Sequence, residues 1–450
     1  MTYLNLLVII TTGMLISYII VSKASVLERI SWGIGLGIIL YSVEFFSMLS
    51  MHISITSSNV LFVSFLNLTL FTFLNRKNKS IINDIKELKG SKSITGEKKY
   101  ILLSMLILGG LISLIAIFWP ISEWDALTLY DFRGKVYANG AQFSDVQKLD
   151  SFDKFNAGYY FSYPPSTSLV HASFYVLGSK TPQIIYPFIF FALVVYFYKV
   201  LSKYTSNSVA IFTSCILMFI NTFVNHASVP YTNLPYTYFY FVSTILLVEY
   251  MLEDNRVDRL IMSGIFLAGA TWIRSVEPFY IVNVLTLLIF ILLKKKKFIN
   301  ALLFILPITF IKLFWNYIQK KYATQSFLNN IDYGQIISNL GTTLPMVFEK
   351  ATSSFLSFIL NNGFIFSMLI LNVILHFFAL KDTRTTFRSW MLLIIFVNLA
   401  LILAGTLAIG ILLPNRLEIY DSLSRFGIFL YPLILFISGL SLAEFKISNK

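Results

Sequence analysis

Apolar stretches of about 20 residues recur along the whole chain, the length an α-helix needs to cross the hydrocarbon core of a bilayer. They predict thirteen helices, near 3–22, 30–50, 54–74, 101–119, 184–201, 209–225, 235–252, 260–274, 278–293, 298–318, 354–380, 391–413 and 426–444. The polar residues between them fall mostly into short connections, and the longest polar excursion runs from Pro120 to about Gln183. Within it, Ala126, Leu129, Tyr130, Val136 and Tyr137 keep helical spacing while Asp131, Arg133 and Lys135 take polar positions, as in a helix lying on a membrane surface. Phe152, Phe155, Tyr159, Tyr160, Phe161 and Tyr163 follow, a run suited to anchoring at headgroup level.

Composition strengthens this picture. Of 450 residues, 56% are hydrophobic and only 13% charged, with a mean hydropathy of +0.74, more apolar surface than a soluble fold can hide. The expected class is an all-α polytopic membrane protein. No Lys or Arg precedes Lys23, so the first segment lacks the basic start of a secretory signal and reads as a retained helix. Cys215 is the single cysteine, which excludes a disulfide or a cysteine cluster within the chain.

The net charge of +13 invites a nucleic-acid reading, but the distribution of basic residues argues otherwise. The loops at 23–29, 75–100, 199–208, 253–260, 294–297 and 381–390, with the C-terminus, hold 23 of the 35 Lys and Arg. Such bias marks the cytoplasmic face, so the Lys294–Lys297 run is a topological anchor and residues 120–183 face outward. Further outward segments are 226–233, 275–278, 320–353 and 414–425, and a site on this face requires them to converge. The expected location is the plasma (inner) membrane, with partners among membrane lipids and no nucleic acid.

Asp125, in Trp124-Asp125-Ala126, heads the outward loop where a long apolar helix ends. One reading is local: Ser122 to Asp125 fits a capping box, and an Asp stabilises a helix N-terminus. The other is a carboxylate active at the membrane surface. Arg274 and Arg425 stand at the outer ends of helices, where they can meet a lipid phosphate or simply reach headgroups. Glu277 is placed to pair with Arg274. His171 and His226 face outward without metal-ligand spacing, and Asp131, Asp145, Asp150 and Asp153 read as a solvated loop surface. Glu44 lies inside a predicted span, where a hydrogen bond within the bundle is the simplest account.

The stretch WDALTLYDFRGK resembles the segment beginning Trp-Asp-Ala in a bacterial branch of the family 39-like (dolichyl/polyprenyl-phosphate-mannose-type) glycosyltransferases, membrane enzymes of the C-type fold. Arg133 and Lys135 occupy that pattern's basic positions, eight and ten residues after the Asp. Tyr163-Pro164 resembles a later Tyr-Pro element, and Tyr231-Thr-Asn233-Leu-Pro235 is similar to Tyr-Ala-Asp-x-Pro, with Asn233 where the family usually has Asp. Arg274-Ser-Val-Glu277 loosely matches a Lys-x-Glu-Gly element, and Arg425 resembles the start of the final helix. The resemblance covers the last three-quarters of the chain. It implies a core at 101–450 with the outward loop 120–183, preceded at 1–100 by a three-helix addition and a basic cytoplasmic loop.

What it implies chemically is transfer of a hexose or pentose from a polyprenyl-phosphate donor to an acceptor hydroxyl on a glycan, lipid or protein, with inversion. Asp125 is then the catalytic base, Arg425 and Arg274 bind the donor phosphate, and Arg133, Lys135, Tyr163, Tyr231, Asn233 and Glu277 position substrates. No cofactor or metal is expected, and the sequence gives a divalent cation no support. A transporter or flippase of lipid-linked cargo is the alternative, and an assembly scaffold or polymer ligase a third possibility. No repeat symmetry is visible that would favour transport.

Overall fold

A computed structural model describes residues 2–78, 80–81, 84, 97–152, 159–253, 256–323, 333–378, 383–412 and 425–448. Among these residues every regular element is helical. The first four helices are α1 (Thr2–Ile20), α2 (Val26–Ser50), α3 (Ser57–Asn75) and α4 (Glu97–Phe118). The 120–183 loop begins with a π-helical turn, Ala126–Asp131, and continues through α5 (Phe132–Ala138), α6 (Phe143–Phe152), α7 (Tyr159–Ser162) and α8 (Ser166–Val176). Then come α9 (Ile185–Tyr204), α10 (Asn207–Phe219), α11 (Asn221–His226), α12 (Asn233–Leu252), α13 (Val257–Ile273), α14 (Glu277–Lys294) and α15 (Ile299–Tyr322). The chain closes with α16 (Tyr333–Asn361), α17 (Gly363–Phe378), α18 (Thr383–Leu412) and α19 (Tyr431–Ser448).

Among the described residues seven helices are long and apolar enough to cross a membrane, eight if the bent pair α16–α17 is taken as one span. The protein is therefore a helical, multi-pass membrane protein by length and composition. Three expected helices are interrupted, that at 426–444 only by a turn at 428–430 before α19. The segment at 209–225 breaks at Ile220, whose ψ of 116° leaves the helical region and separates α10 from α11. The segment at 354–380 turns by 89° between α16 and α17. There the Asn362 amide donates to the Phe358 carbonyl at 2.9 Å, closing the end of α16, while its carbonyl accepts from the Tyr431 hydroxyl at 2.5 Å.

Helix α12 forms the centre of the bundle, buried from Asn233 to Met251. It packs against α9, α13 and α18, so the two ends of α12 and α13 set the two ends of the core. At the far end from Asn233, Lys203 pairs with Glu28 at 2.7 Å and Glu249 at 2.8 Å, and Arg259 bonds to both carboxylates. Two acids and two bases thus neutralise one another, which a buried charge requires.

The N-terminal helices do not stand apart from this core. Helix α1 meets α2 at backbone distance, since a Cβ on Gly13 would lie 1.8 Å from the Gly33 carbonyl oxygen. In turn α2 is tied to the centre: the Tyr238 hydroxyl donates to the Ser31 carbonyl at 2.5 Å and the Trp272 indole to Ser42 at 2.9 Å. Glu44 accepts from the Asn67 amide of α3 at 2.9 Å, the expected hydrogen bond within the bundle.

Candidate functional site

Four chain segments, distant in sequence, meet at the end of the bundle marked by the start of α12. They form a cavity of about 120 Å³ lined by Asp125, Tyr130, His226, Tyr231, Thr232, Asn233, Arg274 and Arg425. Five of the nine residues singled out from the sequence, Asp125, Tyr231, Asn233, Arg274 and Arg425, lie in this lining. The other four, Arg133, Lys135, Tyr163 and Glu277, do not.

Asp125 sits at the head of the π-helical turn with helical backbone angles, and its side chain makes no capping hydrogen bond. Its carboxylate instead faces Arg425, with Oδ2 3.4 Å from Nη1, and the two side chains remain 34% and 51% exposed. A pair this long and this open to solvent contributes no more than about 1 kcal/mol, so an incoming ligand can displace it. Trp119 and Trp124, on either side of the loop's start, are both exposed, as expected of side chains at a membrane boundary.

Arg274 leaves the end of α13 in an extended conformation. Its guanidinium donates to the Asn233 Oδ1 at 2.5 Å and lies 5.4 Å from the centre of the Phe426 ring. Asn233 thus orients an arginine without neutralising it, as an Asp there would. The Tyr130 hydroxyl meets Thr232 at 3.2 Å and forms part of the floor. Burial pushes the Tyr231 phenol above its ordinary pKa, and the nearby charges of Asp125 and Glu123 act in the same direction.

The four residues outside the lining make other contacts. Arg133 is 1% exposed and holds the loop together: Nε donates to Ser168 Oγ at 2.9 Å, Nη1 to the carbonyls of Tyr160 and Tyr163 at 2.5 and 2.9 Å, and Nη2 to that of Pro164 at 2.9 Å. Tyr163 stands behind the cavity wall, its ring edge-on to Tyr130 at 6.1 Å. Lys135 bonds to Asp131 at 2.8 Å, one turn back along the same helical segment. Glu277 pairs with Lys312 at 2.6 Å rather than with Arg274. Adjacent side chains in sequence diverge here because successive helical residues point about 100° apart.

Asp131 anchors the base of the Asp125 turn. It accepts from the Tyr175 hydroxyl at 2.5 Å and lies 3.3 Å from His171 Nδ1, so neither Asp131 nor His171 belongs to a solvated surface. Burial alone would raise its pKa, but His171, Lys135 and Tyr175 outweigh that effect and hold it well below the usual carboxylate range. Close approach of α5 to α8 requires Gly134, where a Cβ would stand 2.8 Å from His171 Cβ. Asp145 pairs with Lys148 at 3.1 Å, and Asp153 lies outside the described residues. Among the described residues no three His, Cys, Asp or Glu side chains group as metal ligands.

Tyr130, His226 and Thr232 are lining residues that sequence reasoning did not assign to the site. Position in the outward 226–233 segment was the available signal, but the break at Ile220 that turns α11 toward Asp125 has no marker in composition. Compared with family models, curated proteins and solved structures, the chain matches none of them.

Proposed function

We propose that this protein is a polyprenyl-phosphate-dependent glycosyltransferase of the C-type fold, with about thirteen spans and an outward catalytic loop. It moves a monosaccharide to an acceptor hydroxyl on the outer face of the membrane. The observation that carries the reading is the joint presence of one carboxylate and two guanidiniums in a cavity at the end of an apolar bundle. A lipid-linked sugar phosphate has the same division into an apolar tail, an anionic phosphate and a polar sugar.

In this reading Asp125 accepts the proton of the acceptor hydroxyl as its oxygen attacks the anomeric carbon, and the bond from that carbon to the phosphate oxygen breaks. The electron pair leaves on the phosphate, where Arg274 and Arg425 meet the growing charge. One direct displacement inverts the configuration. The donor's anion competes with Asp125 for Arg425, which frees the carboxylate for its role as base.

Transport of lipid-linked cargo requires a polar route through the bundle. Among the described residues some buried polar side chains in the bundle are bonded to one another, as where the Asn398 amide donates to Tyr240 at 2.8 Å and the Asn283 amide to Thr244 at 3.0 Å, and this supports transfer over transport. Incubating purified protein with a radiolabelled polyprenyl-phosphate sugar and membrane extract tests the choice. Label passing to an acceptor supports transfer; label crossing a vesicle membrane unchanged supports transport and overturns the proposal.

A further inference from the structure

His226 ends α11 and reaches the same cavity wall as Arg274 and Arg425, with its ring centre 5.8 Å from that of Tyr231. The groups facing it are Tyr231 of its own loop, Asp125 and Tyr130 of the outward loop, Arg274 at the end of α13 and Arg425 before α19. Building on the donor-phosphate reading of this cavity, we propose that His226 is a third ligand of that phosphate, a positioning residue that donates a ring N–H to it.

Charge matching supports this role. With Asp125 ionised, the two guanidiniums leave the cavity one net positive charge, equal and opposite to a phosphodiester. A further cation would overshoot, so the third donor should be neutral. Burial, then repulsion from Arg425 and Arg274, pushes the His226 imidazole down to about 4, which keeps it uncharged at neutral pH. An anion seated between the arginines cancels their repulsion and raises the proton affinity of the ring. Anion binding and His226 protonation therefore promote each other, as linkage requires.

The test measures binding of an undecaprenyl-phosphate monosaccharide, a phosphodiester, to the full-length protein in detergent from pH 7 to pH 5, in wild type, His226→Ala and His226→Gln. At pH 7 the Ala variant should bind roughly ten-fold more weakly, the loss of one hydrogen bond to a charged group, and Gln, which retains an N–H, should recover part of it. The ratio of wild-type to His226→Ala affinity should widen as the pH falls, because only the wild type gains a proton on binding. A phosphodiester does not titrate between pH 7 and pH 5, so the ligand's charge is the same throughout. Equal affinities, or a ratio independent of pH, overturn the role of His226. Absence of binding by the wild type instead refutes the donor-phosphate reading beneath it, so the two failures are distinguishable.

Discussion

Arg133→Met separates two accounts of the basic residues in the 120–183 loop. The resemblance to glycosyltransferases makes Arg133 a substrate-positioning residue, and its loss should then weaken substrate use in a normally folded protein. The structure makes it a clasp, bonded to one hydroxyl and three carbonyls of the segment 160–168. Methionine replaces the stem but not the donors. Each stranded polar group costs about 1–3 kcal/mol, and local relaxation with water entry limits the total to about 3–5 kcal/mol, the usual scale for dismantling a buried charged network. Arg133→Lys should fall between, since an ammonium cannot span acceptors that a planar fork reaches together. Thermal unfolding in detergent and limited proteolysis of the 120–183 loop measure the effect. Wild-type unfolding temperature and protease resistance in Arg133→Met would refute the clasp.

Three further outcomes are expected. Glu277→Gln should change stability by no more than about 1 kcal/mol and leave donor binding intact, because it breaks a solvent-accessible pair with Lys312, checked by unfolding and a donor titration. Arg425→Ala should chiefly weaken donor use, by roughly 1.5–3 kcal/mol for a charge-assisted phosphate contact, seen as a raised donor KM; unchanged saturation would reassign Arg425 to headgroup anchoring. In the ligand-free protein, His226 has a folded pKa of about 4 against 6.5 in the unfolded chain. Between these values the unfolded state binds more protons, so stability should decline as pH falls from 6.5 toward 4, and His226→Gln should flatten that slope in denaturation measured across the range.

The helical membrane class was legible because an apolar run of 20 residues has few other physical uses. Helix breaks were not: Ile220 is an ordinary apolar residue, and nothing in its side chain marks the ψ of 116° that separates α10 from α11. Site residues divided along the same line. Asp125, Arg274 and Arg425 stand beside apolar helix ends, and sequence position alone places such residues on one face. Arg133 and Lys135 lie eight and ten residues from Asp125 on a helical path, where the direction of each side chain depends on the π-helical turn between them. That turn shifts the register by an amount the spacing of apolar positions does not reveal. The three helices at the N-terminus read as an addition because they precede the resembling segment, yet α2 shares hydrogen bonds with α12 and α13.

The central claim is that the Asp125 carboxylate removes a proton during sugar transfer. Its most direct test compares single-turnover transfer by wild type and Asp125→Asn, both purified, loaded with the same radiolabelled polyprenyl-phosphate sugar and matched in unfolding temperature. Transfer should disappear in the Asn variant while donor binding persists or tightens, because Arg425 no longer has a carboxylate competitor. Full transfer rate in a folded Asp125→Asn protein contradicts the account.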